Sequence, residues 1–223
     1  RESGSLFTPG TFTMTFSGVR EDTITNLDAL PLVVNNLTLN KTDGTGNVLL
    51  WDNTVLQIGG TLDFTATATN KSLINARSRT GAYVVSTSGT VNNSSNTRGW
   101  VNGELRKNVA INTSTTTWEV GDFVRYSPFR LAFNTNGGTA GYVGMKVEDG
   151  RHPNLLVEEF HSIYPFRLIG PKYWRMTRPQ GSAFAQGGRQ FSPRAYFVVP
   201  GDEGAVDYWG CIEMSYLRKW TGG

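Results

Sequence analysis

The sequence holds a single cysteine, Cys211, and two histidines, His152 and His161. One thiol excludes an intrachain disulfide and a four-cysteine metal site. Two imidazoles nine positions apart leave a zinc centre dependent on carboxylates from elsewhere. Charge is also scarce. Charged residues make up 17% of the chain, below the ~25% of an average soluble domain. Lys and Arg number 21 against 18 acids, a net charge of +3. Residues 1–98 carry 7 bases and 7 acids, so the excess lies in 99–223. Three interleaved charges make no clustered basic face, and no nucleic-acid partner is expected. No apolar run reaches the ~18 residues of a membrane span, so none is expected. Arg1 opens without a methionine or an apolar h-region, so no signal peptide is visible. The chain is expected to be a mature product, an excised fragment or part of a longer protein.

The remaining composition is polar but neutral. Hydrophobic residues reach 38% and Gly 26, with only 9 Pro. At 223 residues and 24.5 kDa the chain is long enough to bury a core without staples. Thr and Asn total 29 in residues 1–98 and 14 in 99–223, whereas aromatics number 6 and 20. The shift falls near Asn96–Gly99 and marks an expected change of architecture, giving regions 1–98 and 99–223.

Residues 1–98 read as short strands with period-2 alternation. Phe12, Met14 and Phe16 alternate with threonines, Leu37 and Leu39 flank Thr38, and Val55–Ile58 and Thr61–Phe64 flank Gly59-Gly60. Leu37, Leu56, Leu73 and Val91 are separated by 19, 17 and 18 residues, near the loose period of about 20 expected of one β-solenoid coil. An antiparallel sandwich is the alternative. Residues 99–223 read as seven strands: Trp100–Leu105, Thr116–Val120, Phe129–Phe133, Tyr142–Val147, Lys172–Thr177, Ala195–Val199 and Cys211–Leu217. That pattern predicts an immunoglobulin-like sandwich without its Cys–Trp–Cys signature. Asn154–His161 alone has a trace of helical character.

The run Gly99-Trp-Val-Asn-Gly-Glu-Leu-Arg-Lys107, followed by Thr117–Asp122 and Tyr126–Phe133, resembles a module of large surface proteins of Bacteroidota. Gly150–Asn154, Tyr173–Thr177 and Leu217–Gly223 resemble its later turn and strands. The resemblance implies a secreted, surface-displayed protein, often exported by the type IX system, with an adhesive or structural role. It brings no catalytic residues, and it implies that the sandwich lacks its last strand within these residues.

Motifs for catalysis are missing: there is no G-x-S-x-G elbow, phosphate loop, dinucleotide fingerprint or H-E-x-x-H. His152 reads as a loop residue before Pro153, and His161 as a surface residue. Asp43, Asp52 and Asp63 are the candidate acids of a carbohydrate-active solenoid, with Asp43 and Asp63 20 residues apart, though turn-forming Asp explains each as well. Glu148-Asp149 and Asp202-Glu203 read as hairpin turns, without calcium-loop spacing. Trp118 and Trp174 are expected in a core. Trp100, Trp209 and Trp220 also lie in or beside strands, and Trp51 is the candidate for an exposed contact. Arg167, Lys172, Arg175, Arg178, Arg189 and Arg194 could pair with acids across strands or form a mildly basic face, and read first as a solvated face. No catalytic, cofactor-binding or metal-ligating residue is expected, and no cofactor.

The expected function is a non-enzymatic extracellular adhesin or structural module. Its expected partners are other copies of itself, neighbouring domains of a longer surface protein, or glycans. A carbohydrate-active solenoid and a glycan-binding module are the alternatives. The strand Phe12–Phe16 is the expected donor if subunits exchange strands into a fibre. Sequons at Asn36, Asn40, Asn70, Asn92, Asn93 and Asn112 are expected to arise by chance. Asp22-Thr23-Ile24 resembles an O-glycan acceptor of Bacteroidota.

Overall fold

The computed structural model describes residues 13–26, 30–42, 46–65, 71–77, 79–149, 172–185, 187 and 191–195. These residues are all β, without a helix. Strands come in sets of three. The first set is β1 (Thr13–Gly18), β2 (Asp22–Ile24) and β3 (Leu32–Val34). The second is β4 (Asn36–Lys41), β5 (Val48–Leu50) and β6 (Val55–Ile58). The third is β7 (Leu62–Phe64), β8 (Ser72–Asn75) and β9 (Tyr83–Ser86). Each strand pairs in parallel with the strand three later. The chain therefore winds through three solenoid coils with three sheets as walls. β10 (Val91–Asn92), β11 (Gly99–Asn102) and β12 (Glu104–Val109) add one more parallel strand to each wall.

Alternation decides which side chains enter the coil. Leu37 and Leu39 of β4, Leu56 and Ile58 of β6, Leu62 and Phe64 of β7 and Val84 of β9 are fully buried. Residues between them, such as Thr38, Gln57, Asp63 and Val85, are half-exposed. Each buried Leu or Ile contributes roughly 1.5–3 kcal/mol by leaving water. Inward residues stack on their register partners, Leu37 between Met14 and Leu62, and Leu56 between Leu32 and Val84.

That register corrects the expected recurrence of about 20 residues through these four positions. Leu37, Leu56, Leu73 and Val91 belong to different walls or to non-adjacent coils, and none pairs with another. Register partners lie from 19 residues apart (Val101 to Val120) to 29 (Leu62 to Val91). One coil uses three strands, so an inward apolar residue recurs several times per coil and mimics a shorter period.

The parallel stacking runs on past residue 98. The chain reaches β11 through Gly99, whose φ of +147° suits glycine and where a Cβ would overlap the Ser72 carbonyl oxygen of the neighbouring coil. The expected strand Trp100–Leu105 is two strands on two walls, turning at Gly103. β13 (Thr115–Trp118) and β14 (Val120–Gly121) likewise divide Thr116–Val120, and β14 extends the wall of β11 in parallel.

Antiparallel pairing enters after that. β16 (Gly141–Asp149) and β17 (Lys172–Thr177) extend the wall of β12. β15 (Phe129–Phe133) is flanked by β13 and β18 (Phe191–Ala195) in a separate antiparallel sheet. Buried Trp118, Phe129, Leu131 and Phe133 of this sheet share one core with Val109, Val143, Met145 and Val147 of the extended wall. The Trp118 indole Nε1–H donates to the Val143 carbonyl at 3.0 Å and ties the two layers together. Glu148 and Asp149 are strand residues at the end of β16, not a turn. Glu148 pairs with Lys146, and Asp149 meets Arg77 at 2.9 Å. Asn154–His161, Cys211–Leu217 and all of Ala195–Val199 but its first residue lie outside the described residues.

Candidate functional site

A cleft of about 260 Å³ lies on the outer face of the third wall, the one formed by β3, β6, β9, β12, β16 and β17. Its floor is set by strand register. Gln57, Val85 and Arg106 are consecutive partners across β6, β9 and β12, and Val55, Tyr83 and Glu104 form the next row. Tyr142 of β16 and residues 179–182 build one side, and Pro31 the other. The Ser182 hydroxyl donates to the Tyr142 carbonyl at 2.7 Å and fixes that side to β16.

Three contacts immobilise Arg106 or its anchor. Its guanidinium lies 3.4 Å from the Tyr83 ring centroid, a cation–π stack. Its Nε–H donates to Glu104 Oε1 at 2.6 Å, and the Thr177 hydroxyl donates to the same oxygen at 3.1 Å. Glu104 and Arg106 sit two apart on one strand, so alternation puts both on the outer face. One carboxylate held by a guanidinium offers charge-assisted binding, but not the paired carboxylates that glycoside hydrolysis uses.

Two ion pairs lie inside the protein instead of on its face. Lys107 points inward between Leu105 and Val109, is 2% exposed, and meets Glu119 at 2.5 Å. Its Nζ also donates to the Gly89 carbonyl at 2.9 Å. Burial pushes the Lys107 ammonium below its ordinary range and the Glu119 carboxyl above its own, each partly offset by the other's charge. Lys172 donates to Asp122 at 2.7 Å and to the Ser127 hydroxyl at 3.3 Å. Burial alone would raise the Asp122 carboxyl. Lys172 and the N–H groups of Arg125 and Val124 outweigh it and hold the group below the usual carboxylate range. The loop that Asp122 closes covers Trp100, whose indole donates to the Asp122 carbonyl at 2.8 Å.

The residues expected from sequence are scattered. Asp63 is in register with Thr38 and Asn92, whereas Asp43, its expected stacking partner, lies outside the described residues. The Asp63 carboxylate accepts from Asn93 Nδ2 at 2.7 Å. Asp52 accepts from the Thr80 N–H at 3.0 Å, a contact between turns 28 residues apart. Trp118 is buried as expected, Trp174 is half-buried, and Trp100 is fully buried. Trp51 is 43% exposed, with the Arg79 guanidinium 4.0 Å from its ring centroid. Lys172 corrects the expected solvated face, being 7% exposed and paired with Asp122. Arg175, Arg178 and Arg194 are exposed. Asn36 is held by the Thr61 N–H, which donates to its Oδ1 at 2.9 Å, whereas Asn40, Asn92, Asn93 and Asn112 are exposed. Thr23 is exposed on β2, beside Asp22, which pairs with the buried Lys41. His152, His161, Asp43, Asn70, Arg167, Arg189, Asp202, Glu203, Trp209, Cys211 and Trp220 lie outside the described residues.

Nothing local in the sequence marks Gln57, Tyr83, Arg106 and Tyr142 as neighbours. The alternation of Glu104 and Arg106 was visible, but Tyr83 and Gln57 join them only through the coil register. Among the described residues no group of three or more His, Cys, Asp or Glu is placed to hold a metal. No helix there is long and apolar enough to cross a membrane. Comparison with protein-family models, curated proteins and solved structures finds no match.

Proposed function

We propose that the chain is a non-enzymatic module of an extracellular, cell-surface protein, with an adhesive or structural role. The observation that supports this reading best is the coil stack itself. It is a rigid scaffold with short polar side chains outside, as in the row Thr15, Thr38, Asp63 and Asn92 on the first wall. Such weakly charged, laterally extended faces suit contact with a matrix or another surface. The resemblance to surface modules of Bacteroidota points the same way, with export by the type IX system as part of this proposal. The sheet β13–β15–β18 and the antiparallel β12–β16–β17, packed face to face, are read as an immunoglobulin-like sandwich.

Self-assembly belongs to the same reading. β1, β2 and β3 are the terminal strands of their walls among the described residues, and open strand edges template pairing with another chain. Thr13–Gly18 pairs with β4 of its own chain, so β1 offers an outer edge instead of a free donor strand.

A second reading, a glycan-binding module, is favoured by the cleft around Arg106. Protease shaving of intact source cells, with incubation of the purified chain on neutral and acidic polysaccharides, tests the proposal. Removal of the protein from intact cells and no release of reducing ends is the expected result. Protection from protease, or steady release of sugar, contradicts it.

A further inference from the structure

We infer that the cleft on the outer face of the third wall binds one unit of a neutral saccharide through the Arg106 guanidinium. The inference rests on the surface-module reading and names the ligand class of its glycan-binding form. At about 260 Å³ the cleft is smaller than the ~300–1,000 Å³ of sites for drug-sized ligands, which suits a single sugar ring.

Arg106 is held in place on the floor of the cleft. Stacking on Tyr83 and the Nε–H bond to Glu104 fix the guanidinium before any ligand arrives. Its terminal Nη groups make no hydrogen bond with the described residues, although the side chain is only 21% exposed. A fixed fork of donors loses little entropy on binding. The position of Glu104 depends on Gly144, where a Cβ would overlap both Glu104 Oε1 and Thr177 Oγ1. The chain thus leaves room for the carboxylate that holds Arg106.

Charge selects the ligand. Glu104 neutralises Arg106 at contact distance, so an anionic sugar gains little from the site. Adjacent hydroxyls of a neutral sugar can each accept from the Nη groups. The half-buried Gln57 amide supplies a donor and an acceptor beside them, and the Tyr142 ring an apolar surface for sugar C–H groups.

The test uses the full chain with soluble neutral oligosaccharides of glucose, galactose, mannose and xylose, and a matched uronic-acid set. Binding is read by titration calorimetry. Wild type is expected to bind at least one neutral sugar more tightly than any uronate. Arg106→Met and Gln57→Ala should each weaken that affinity, Arg106→Met by about 10-fold or more, the worth of one charge-assisted hydrogen bond. Phe123→Ala, exposed and outside the cleft, should leave it unchanged. If Arg106→Met does not fold, Gln57→Ala carries the test. No neutral sugar bound, a preference for uronates, or full affinity in a folded cleft variant overturns the inference. Reducing ends released from a bound sugar would overturn the non-enzymatic reading and leave the subsite standing.

Discussion

Lys107 and Glu119 meet at 2.5 Å where the coil stack gives way to the antiparallel layers, and both are almost wholly buried. Lys107 stands in register with Ser86 on the coil above and Val143 on the strand beyond. In the earlier coils the same inward position holds Val34 and Ile58. Desolvating two charges costs about as much as their attraction returns, so such a pair adds little net stability while forbidding mismatched neighbours.

Lys107→Met alone should destabilise the protein by about 3 kcal/mol, because Glu119 is left without its cation. The double variant Lys107→Met/Glu119→Leu should come within about 1 kcal/mol of wild type or exceed it. Urea denaturation of the three proteins checks this. A double variant as unstable as the single one would show that the pair itself holds the fold.

Asp122 gives the protein an acid limit. Its folded carboxyl titrates below the unfolded value of ~3.9, so its contribution is present above that pH and lost as pH falls through the folded value. Asp122→Asn should cost about 3 kcal/mol at neutral pH, since the buried Lys172 loses the carboxylate charge that faces it. The gap to wild type should close on acidification below about pH 4. Thermal melts of both proteins from pH 7 to pH 3 check it. A gap independent of pH would remove the carboxylate from the explanation.

Gly99→Ala should cost about 2 kcal/mol or more, from the positive φ and from contact with the Ser72 carbonyl. Gly89, also at positive φ but with open space around it, should cost less on the same change. Equal losses at the two positions would mean that close packing of coils is not what Gly99 serves.

The strands were legible because alternation is local. Leu37–Leu39, Val55–Ile58, Leu62–Phe64 and Tyr83–Ser86 each announce a half-buried strand by their own residues. The coil period was not, because the segments joining strands differ in length: residues 65–71 lie between β7 and β8, and Asn35 alone between β3 and β4. Aromatic enrichment after residue 98 suggests a new fold on composition alone. Trp100 instead lies on a solenoid strand, buried by the loop that Asp122 closes. Of the cleft, only the shared face of Glu104 and Arg106 was local. Its other members come from strands whose neighbours are fixed by register alone.

Continuation of the parallel stack across residue 98 is the central structural claim, and an engineered cross-link tests it most directly. Asn75 and Asn102 are register partners on β8 and β11, and Asn102 Nδ2 donates to Asn75 Oδ1 at 3.2 Å. In a Cys211→Ser background, Asn75→Cys/Asn102→Cys should oxidise to a disulfide within one chain, read by mass spectrometry after digestion. Asn75→Cys/Val101→Cys, with the second thiol on the opposite face of β11, should stay reduced under the same conditions. No cross-link in the first pair, or an equal one in the second, would contradict a solenoid that runs through Gly99.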